Sequence, residues 1–105
     1  MIKFIDNRFG GNEEVTAELG EYQSNRNPAL TLYTSTMEHW ATASVNVEGF
    51  KVPEGCILLK TWSENTGLDQ LLLEAGVIEA PVLQSVRAGY ADALLYRLTE
   101  RMKNK

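Results

Sequence analysis

The chain has 105 residues, a net charge of −4 and an isoelectric point near 4.9, which together indicate one small acidic domain spanning residues 1–105. One cysteine and one histidine exclude a disulfide within the chain and the usual zinc ligand sets. The acidic balance argues against direct binding of nucleic acid, and the absence of a long apolar stretch argues against a membrane span or signal peptide, so we expect a cytoplasmic protein.

The first half of the chain predicts four strands separated by polar turns. Residues 2–5 form a short strand, followed by a loop rich in Asn and Gly. Apolar and polar residues alternate over 15–22, which predicts a half-buried strand with a bulge at Gly20. Residues 30–34 form a third strand, and the alternation over 41–47 predicts a fourth that pairs with it as a hairpin.

The second half predicts a buried strand, one helix and a closing segment. Residues 56–62 form a dense apolar run typical of a central strand, and leucines at helical spacing predict a helix over 67–75. One polar side chain of residues 63–66 is expected to cap this helix; the alternative is an anion bound by backbone N–H groups there. Residues 82–86 predict a strand, whereas 90–102 fit a strand or a helix, with periodicity slightly favouring the helix.

No residue pattern of a catalyst is present in the sequence. His39 and Cys56 stand in no nucleophile motif, and there is no phosphate loop or cofactor fingerprint. We therefore expect a protein that is not an enzyme and that uses no cofactor and no metal. The alternative is a small enzyme or ligand-binding domain with a pocket near His39, Trp40 and Trp62.

An acidic cluster lies on and beside the predicted second strand, at Glu13, Glu14, Glu18 and Glu21. It is either a solvated strand face that maintains solubility or an acidic surface that competes with DNA or RNA for a basic groove. Charge alone does not separate these two interpretations.

Several short strings resemble a known family. They are Ala-Ser-Val-Asn-Val at 43–47, Lys-Thr-Trp-Ser-Glu-Asn-Thr-Gly-Leu at 60–68 and Gly-Tyr at 89–90. Together they resemble a family of small domains of unknown function found in plasmids, conjugative elements and phages. The resemblance implies a closing strand that ends near residues 97–98. It also implies a mobile-element protein, and small acidic proteins of that origin often block host defence machinery as anti-CRISPR or antirestriction proteins.

With this closing strand, the elements predict an α+β fold. A curved antiparallel sheet of five or six strands packs one face against the single short helix. The expected core residues are Leu68, Leu71, Leu72, Val45, Val47, Ile57 and Leu59.

The other face of this sheet would remain open and polar, which suits a protein partner. Hot spots are enriched in Trp and Tyr, so Tyr33 and Trp40 are the expected anchors, with Glu18 and Glu21 steering the approach. The alternative is that both aromatics belong to the core. The prediction is an inhibitor of a host protein with a basic nucleic-acid groove; the opposing interpretation is a structural accessory protein of the element, including a homodimer.

Overall fold

The computed structural model describes residues 1–103, so the last two residues of the predicted domain lie outside it. The α-helices and strands are β1 Ile2–Asp6, β2 Glu13–Glu21, β3 Pro28–Thr34, β4 His39–Thr42, β5 Cys56–Leu59, α1 Leu68–Glu74, β6 Ile78–Ala88, β7 Ala91–Leu98 and α2 Glu100–Lys103. A first sheet has the order β1-β2-β3-β4, a second has β5-β7-β6, and all neighbours are antiparallel.

The α+β class with antiparallel strands is therefore confirmed, but its details differ from the prediction. Within residues 1–103 there are seven strands in two sheets and two α-helices, where five or six strands and one helix were expected. No helix in this range is long and apolar enough to cross a membrane.

The two sheets are joined by the chain just after β4. Ser44 forms an isolated bridge with Leu59, and the N–H of Lys60 donates to the carbonyl of Ala43 at 2.9 Å. The predicted strand over 41–47 is thus divided: β4 ends at Thr42, and the chain then crosses to the second sheet. The rest of the predicted strand, to residue 47, is therefore not part of β4.

The main core lies between the inner face of the first sheet, the second sheet and α1. Leu68 and Leu72 of α1 and Ile57 and Leu59 of β5 are buried in it, as predicted. Leu71 is only partly buried at the margin of this core.

A second, smaller core covers the other face of the second sheet. Its buried members are Val52, Cys56, Leu58, Ala93 and Leu95. Val45 and Val47 pack partly buried against this cluster and not in the main core, which corrects their predicted position. The reason is that all four residues of β5 are buried, so alternate side chains need cover on both faces.

The closing segment is the strand β7, as the family resemblance implied, and not the helix that periodicity favoured. Tyr96 and Leu98 point into the main core, whereas Ala93 and Leu95 point into the second core. Because both faces are apolar, the sequence lacks the clear alternation of a half-buried strand.

Two local predictions were wrong. The pairing of β2 with β3 is regular through Gly20, and the bulge lies instead between Leu32 and Tyr33, opposite β4. Gly67 is the N-cap of α1, with φ of 82° and no side-chain capping bond. Asn65 is buried, and its amide donates to the carbonyl of Thr42 at 2.8 Å, so it fixes the turn against β4.

Two neighbouring leucines test the position of α1. Leu72→Ala is expected to lower the free energy of unfolding by about 2–5 kcal/mol because the side chain is fully buried. Leu71→Ala should cost less than about 2 kcal/mol because part of the cavity opens to water. Urea unfolding of both variants measures the difference; equal losses would show that α1 packs in a different orientation.

Candidate functional site

Most of the predicted binding residues gather at one end of the first sheet. At this end β1 and β3 finish and β2 and β4 begin. We call it the aromatic end, and its residues are Phe9, Glu13, Glu14, Tyr33, His39 and Trp40.

The aromatic end is organised around the buried carboxylate of Asp6, which is 2% exposed. Arg8 donates to it from Nε at 3.0 Å, from Nη2 at 2.8 Å and from its backbone N–H at 3.0 Å. The indole Nε1 of Trp40 donates to the same carboxylate at 3.0 Å. Burial raises the pKa of Asp6, but the hydrogen bonds from Arg8 and Trp40 outweigh it and hold the pKa below its ordinary value of 3.8.

Trp40 is turned toward this carboxylate by the bulge in the pairing of β3 with β4. Leu32 pairs with Ala41 and Tyr33 pairs with His39, so Trp40 is the extra residue. It packs partly buried against the main core, which gives it a structural role. Tyr33 lies on the outer face of the sheet and contacts the His39 ring edge-on, with 6.5 Å between ring centroids.

The predicted pair of anchors is therefore divided between the two sides of the sheet, and so is the acidic cluster. Glu14 and Glu18 share the outer face with Tyr33, because they alternate with the buried Val15. Glu13 pairs with Asp6 and lies toward the core side. Glu21 lies eight residues further along β2, roughly 27 Å away at strand spacing.

Glu21 contributes to a large cleft at the opposite end of the sheet. This cleft has a volume of about 860 Å³, and its charged lining residues are Glu21, Arg26, Lys51, Glu54 and Lys103. Cys56 also lines it but is itself buried. Glu21 is thus separated from the other predicted binding residues.

A small cleft of about 150 Å³ opens at the aromatic end. Its lining residues are Asp6, Phe9, Gly11, Asn12, Glu13 and Trp40. The sequence prediction had selected Glu13 and Trp40 but not Phe9, which is 64% exposed and contacts the Trp40 ring edge-on. The sequence signal for this cleft was Asp6 and Arg8 just before the Gly-Gly turn at 10–11. The sequence alone does not show that Asp6 is buried, so it did not single out this pair.

The three residues of the alternative pocket, His39, Trp40 and Trp62, have different surroundings. Neither cleft is lined by His39 or Trp62. The His39 ring is hydrogen-bonded to Thr42 at 2.9 Å on the exposed face, whereas Trp62 packs against the second core. Among residues 1–103, no three His, Cys, Asp or Glu side chains are placed to hold a metal ion.

Comparison with protein-family models, with curated proteins and with solved structures finds no match to this chain.

Removal of the Asp6 carboxylate tests its structural role. Asp6→Ala is expected to lower the free energy of unfolding by about 3–5 kcal/mol, because Arg8 and Trp40 lose their acceptor. Asp92→Ala is the control: its ion pair with Arg87 is exposed and 3.8 Å long, so the loss should stay within about 0.5 kcal/mol.

The lowered pKa of Asp6 also predicts a pH dependence. A carboxyl whose pKa falls on folding stabilises the fold above its unfolded pKa of 3.8 and loses that contribution as the pH drops below it. The stability difference between the wild type and Asp6→Asn should therefore shrink below about pH 4. Urea unfolding between pH 7 and pH 3 measures it, and a constant difference would contradict the assigned ion pair.

The two predicted anchors can be separated by changes to phenylalanine, which remove the indole N–H of Trp40 together with part of its ring and only the hydroxyl of Tyr33. Trp40→Phe should cost about 1.5–3 kcal/mol because it removes a donor to a charged acceptor. Tyr33→Phe should change the stability by less than about 0.5 kcal/mol because it alters the open face. Thermal and urea unfolding measure the stability of both variants. If Trp40→Phe were as stable as the wild type, Trp40 would have no structural role and could anchor a partner.

Proposed function

We propose that this chain is a non-catalytic, protein-binding domain whose partner carries a basic nucleic-acid-binding groove. The observation that carries the proposal is the outer face of the first sheet. Glu14 and Glu18 lie on this face together with Tyr33, opposite the face that packs on the main core. Two carboxylates beside a half-buried aromatic provide both attraction for a basic surface and apolar contact area.

The regular strand pairing beneath this face supports a binding role. Lys3, Thr16 and Tyr33 are aligned across β1, β2 and β3, and Thr16 at the centre is only 7% exposed. Its neighbours therefore hold fixed positions on a regular sheet. A preorganised surface loses less entropy on binding than a mobile loop does.

The partner class follows from charge and from the family resemblance. A surface with Glu14 and Glu18 against Lys3, the single cation of β1, β2 and β3, on a chain of net charge −4, is attracted to the grooves that bind DNA or RNA. We propose that the domain acts in the cytoplasm as an inhibitor from a mobile element, of the anti-CRISPR or antirestriction type, by occupying such a groove. A structural accessory protein, including a homodimer, is the competing function.

A capture experiment with charge reversal tests the proposal. The immobilised chain is exposed to host lysate at low and high salt, with and without duplex DNA as competitor. We expect a nucleic-acid-binding protein that is retained at low salt and released by DNA, because steering between exposed charges is screened by salt. The double variant Glu14→Lys/Glu18→Lys should weaken capture at least about tenfold.

The matched control is Glu74→Lys/Glu100→Lys, which makes the same change of net charge at two exposed residues of the helices. Equal weakening by both double variants would contradict a specific role of the outer face. Recovery of copies of this chain alone would favour the homodimer and remove the inhibitor proposal.

A further inference from the structure

We infer that the small cleft at the aromatic end receives a cationic side chain of the partner, preferably an arginine. The inference rests on the proposed function, since it requires a partner with a basic surface. It concerns Phe9, Glu13 and Trp40, which lie beside the outer face and do not belong to it.

The walls of the cleft present aromatic surface to its opening. Phe9 and Trp40 lie with 6.3 Å between ring centroids and 61° between ring planes. The guanidinium of Arg8 already lies 4.8 Å from the centre of the Phe9 ring, so this ring is shown to accept a guanidinium. Phe9 nevertheless stays 64% exposed, which leaves aromatic surface for a second cation.

The charge of the cleft comes from Glu13. The carboxylate of Asp6 is neutralised by Arg8 and already accepts four hydrogen bonds, three from Arg8 and one from Trp40. Glu13 takes part in none of the ion pairs formed within residues 1–103. Asp6, Arg8 and Glu13 together thus leave one negative charge at the opening.

The size of the cleft selects one side chain. Its volume of about 150 Å³ is well below the roughly 300–1,000 Å³ of sites for drug-sized ligands. A guanidinium stacks on an aromatic ring and binds a carboxylate in the same plane, whereas an ammonium is a compact, strongly hydrated charge. Arginine therefore uses both the rings and Glu13, which is why it is preferred to lysine.

An NMR titration with a defined probe tests this site. An acetylated tetra-arginine amide is added to the isotope-labelled chain, and the indole N–H signals are followed, with Trp62→Phe used to assign the signal of Trp40. We expect a saturable shift at Trp40. Phe9→Ala should weaken binding about tenfold, and Glu13→Gln about threefold, in line with a partly desolvated cation–π contact and an ion pair to a half-buried carboxylate. Tetra-lysine should bind more weakly than tetra-arginine.

The control is Glu14→Gln, which removes the same charge one residue away on the opposite face. Equal weakening by Glu13→Gln and Glu14→Gln, or unchanged binding by Phe9→Ala, would show diffuse attraction and overturn the inference. Melting curves of the Phe9 and Glu13 variants confirm that they fold. If the peptide titration contradicts the arginine site but capture still depends on Glu14 and Glu18, the proposed function stands. If the peptide binds specifically but capture does not depend on Glu14 and Glu18, the arginine site stands and the proposed function is contradicted.

Discussion

The buried carboxylate of Asp6 is the constraint on which the architecture of the aromatic end depends. A charge removed from water is tolerated only where hydrogen-bond donors surround it, so Arg8 and Trp40 are held in place by the need to satisfy it. Arg8 also donates from Nη1 to the carbonyls of Glu64 and Thr66, at 3.1 and 3.4 Å. One carboxylate thereby connects β1, β4 and the turn that precedes α1.

A second polar residue has a similar role at the other end of the molecule. Asn27 is 2% exposed, and its side chain accepts from the N–H of Val52 at 3.1 Å and donates to the carbonyl of Phe50 at 2.8 Å. These bonds fix the chain after β4, which has few backbone partners of its own, over the second core. Apolar burial holds the two sheets together. Asp6 and Asn27 determine where the connecting segments lie: Asp6 fixes the turn before α1, and Asn27 fixes the chain after β4.

The sequence predicted the α+β class, the positions of most strands and the buried leucines of α1, because these depend on local alternation and spacing. It predicted β5 as a buried strand but not the second core, because an apolar run does not show which distant segment covers its other face. For β7, with both faces apolar, periodicity did not distinguish strand from helix. Nor did the sequence separate Tyr33 from Trp40. That separation depends on the bulge opposite Leu32, which is a property of the pairing of two strands and not of either strand alone.

The pleat of β2 turns one acidic stretch into two distinct surfaces. Consecutive residues of a strand point to opposite faces, so Glu13 reaches the cleft and Glu14 reaches the outer face although their Cα atoms are only about 3.8 Å apart. A partner that passes over the end of the sheet can contact both, and also Tyr33. Glu21 belongs to the opposite end and cannot join the same contact. The proposed binding surface is therefore the end of the sheet, where strand termini bring aromatic and acidic side chains of four strands together.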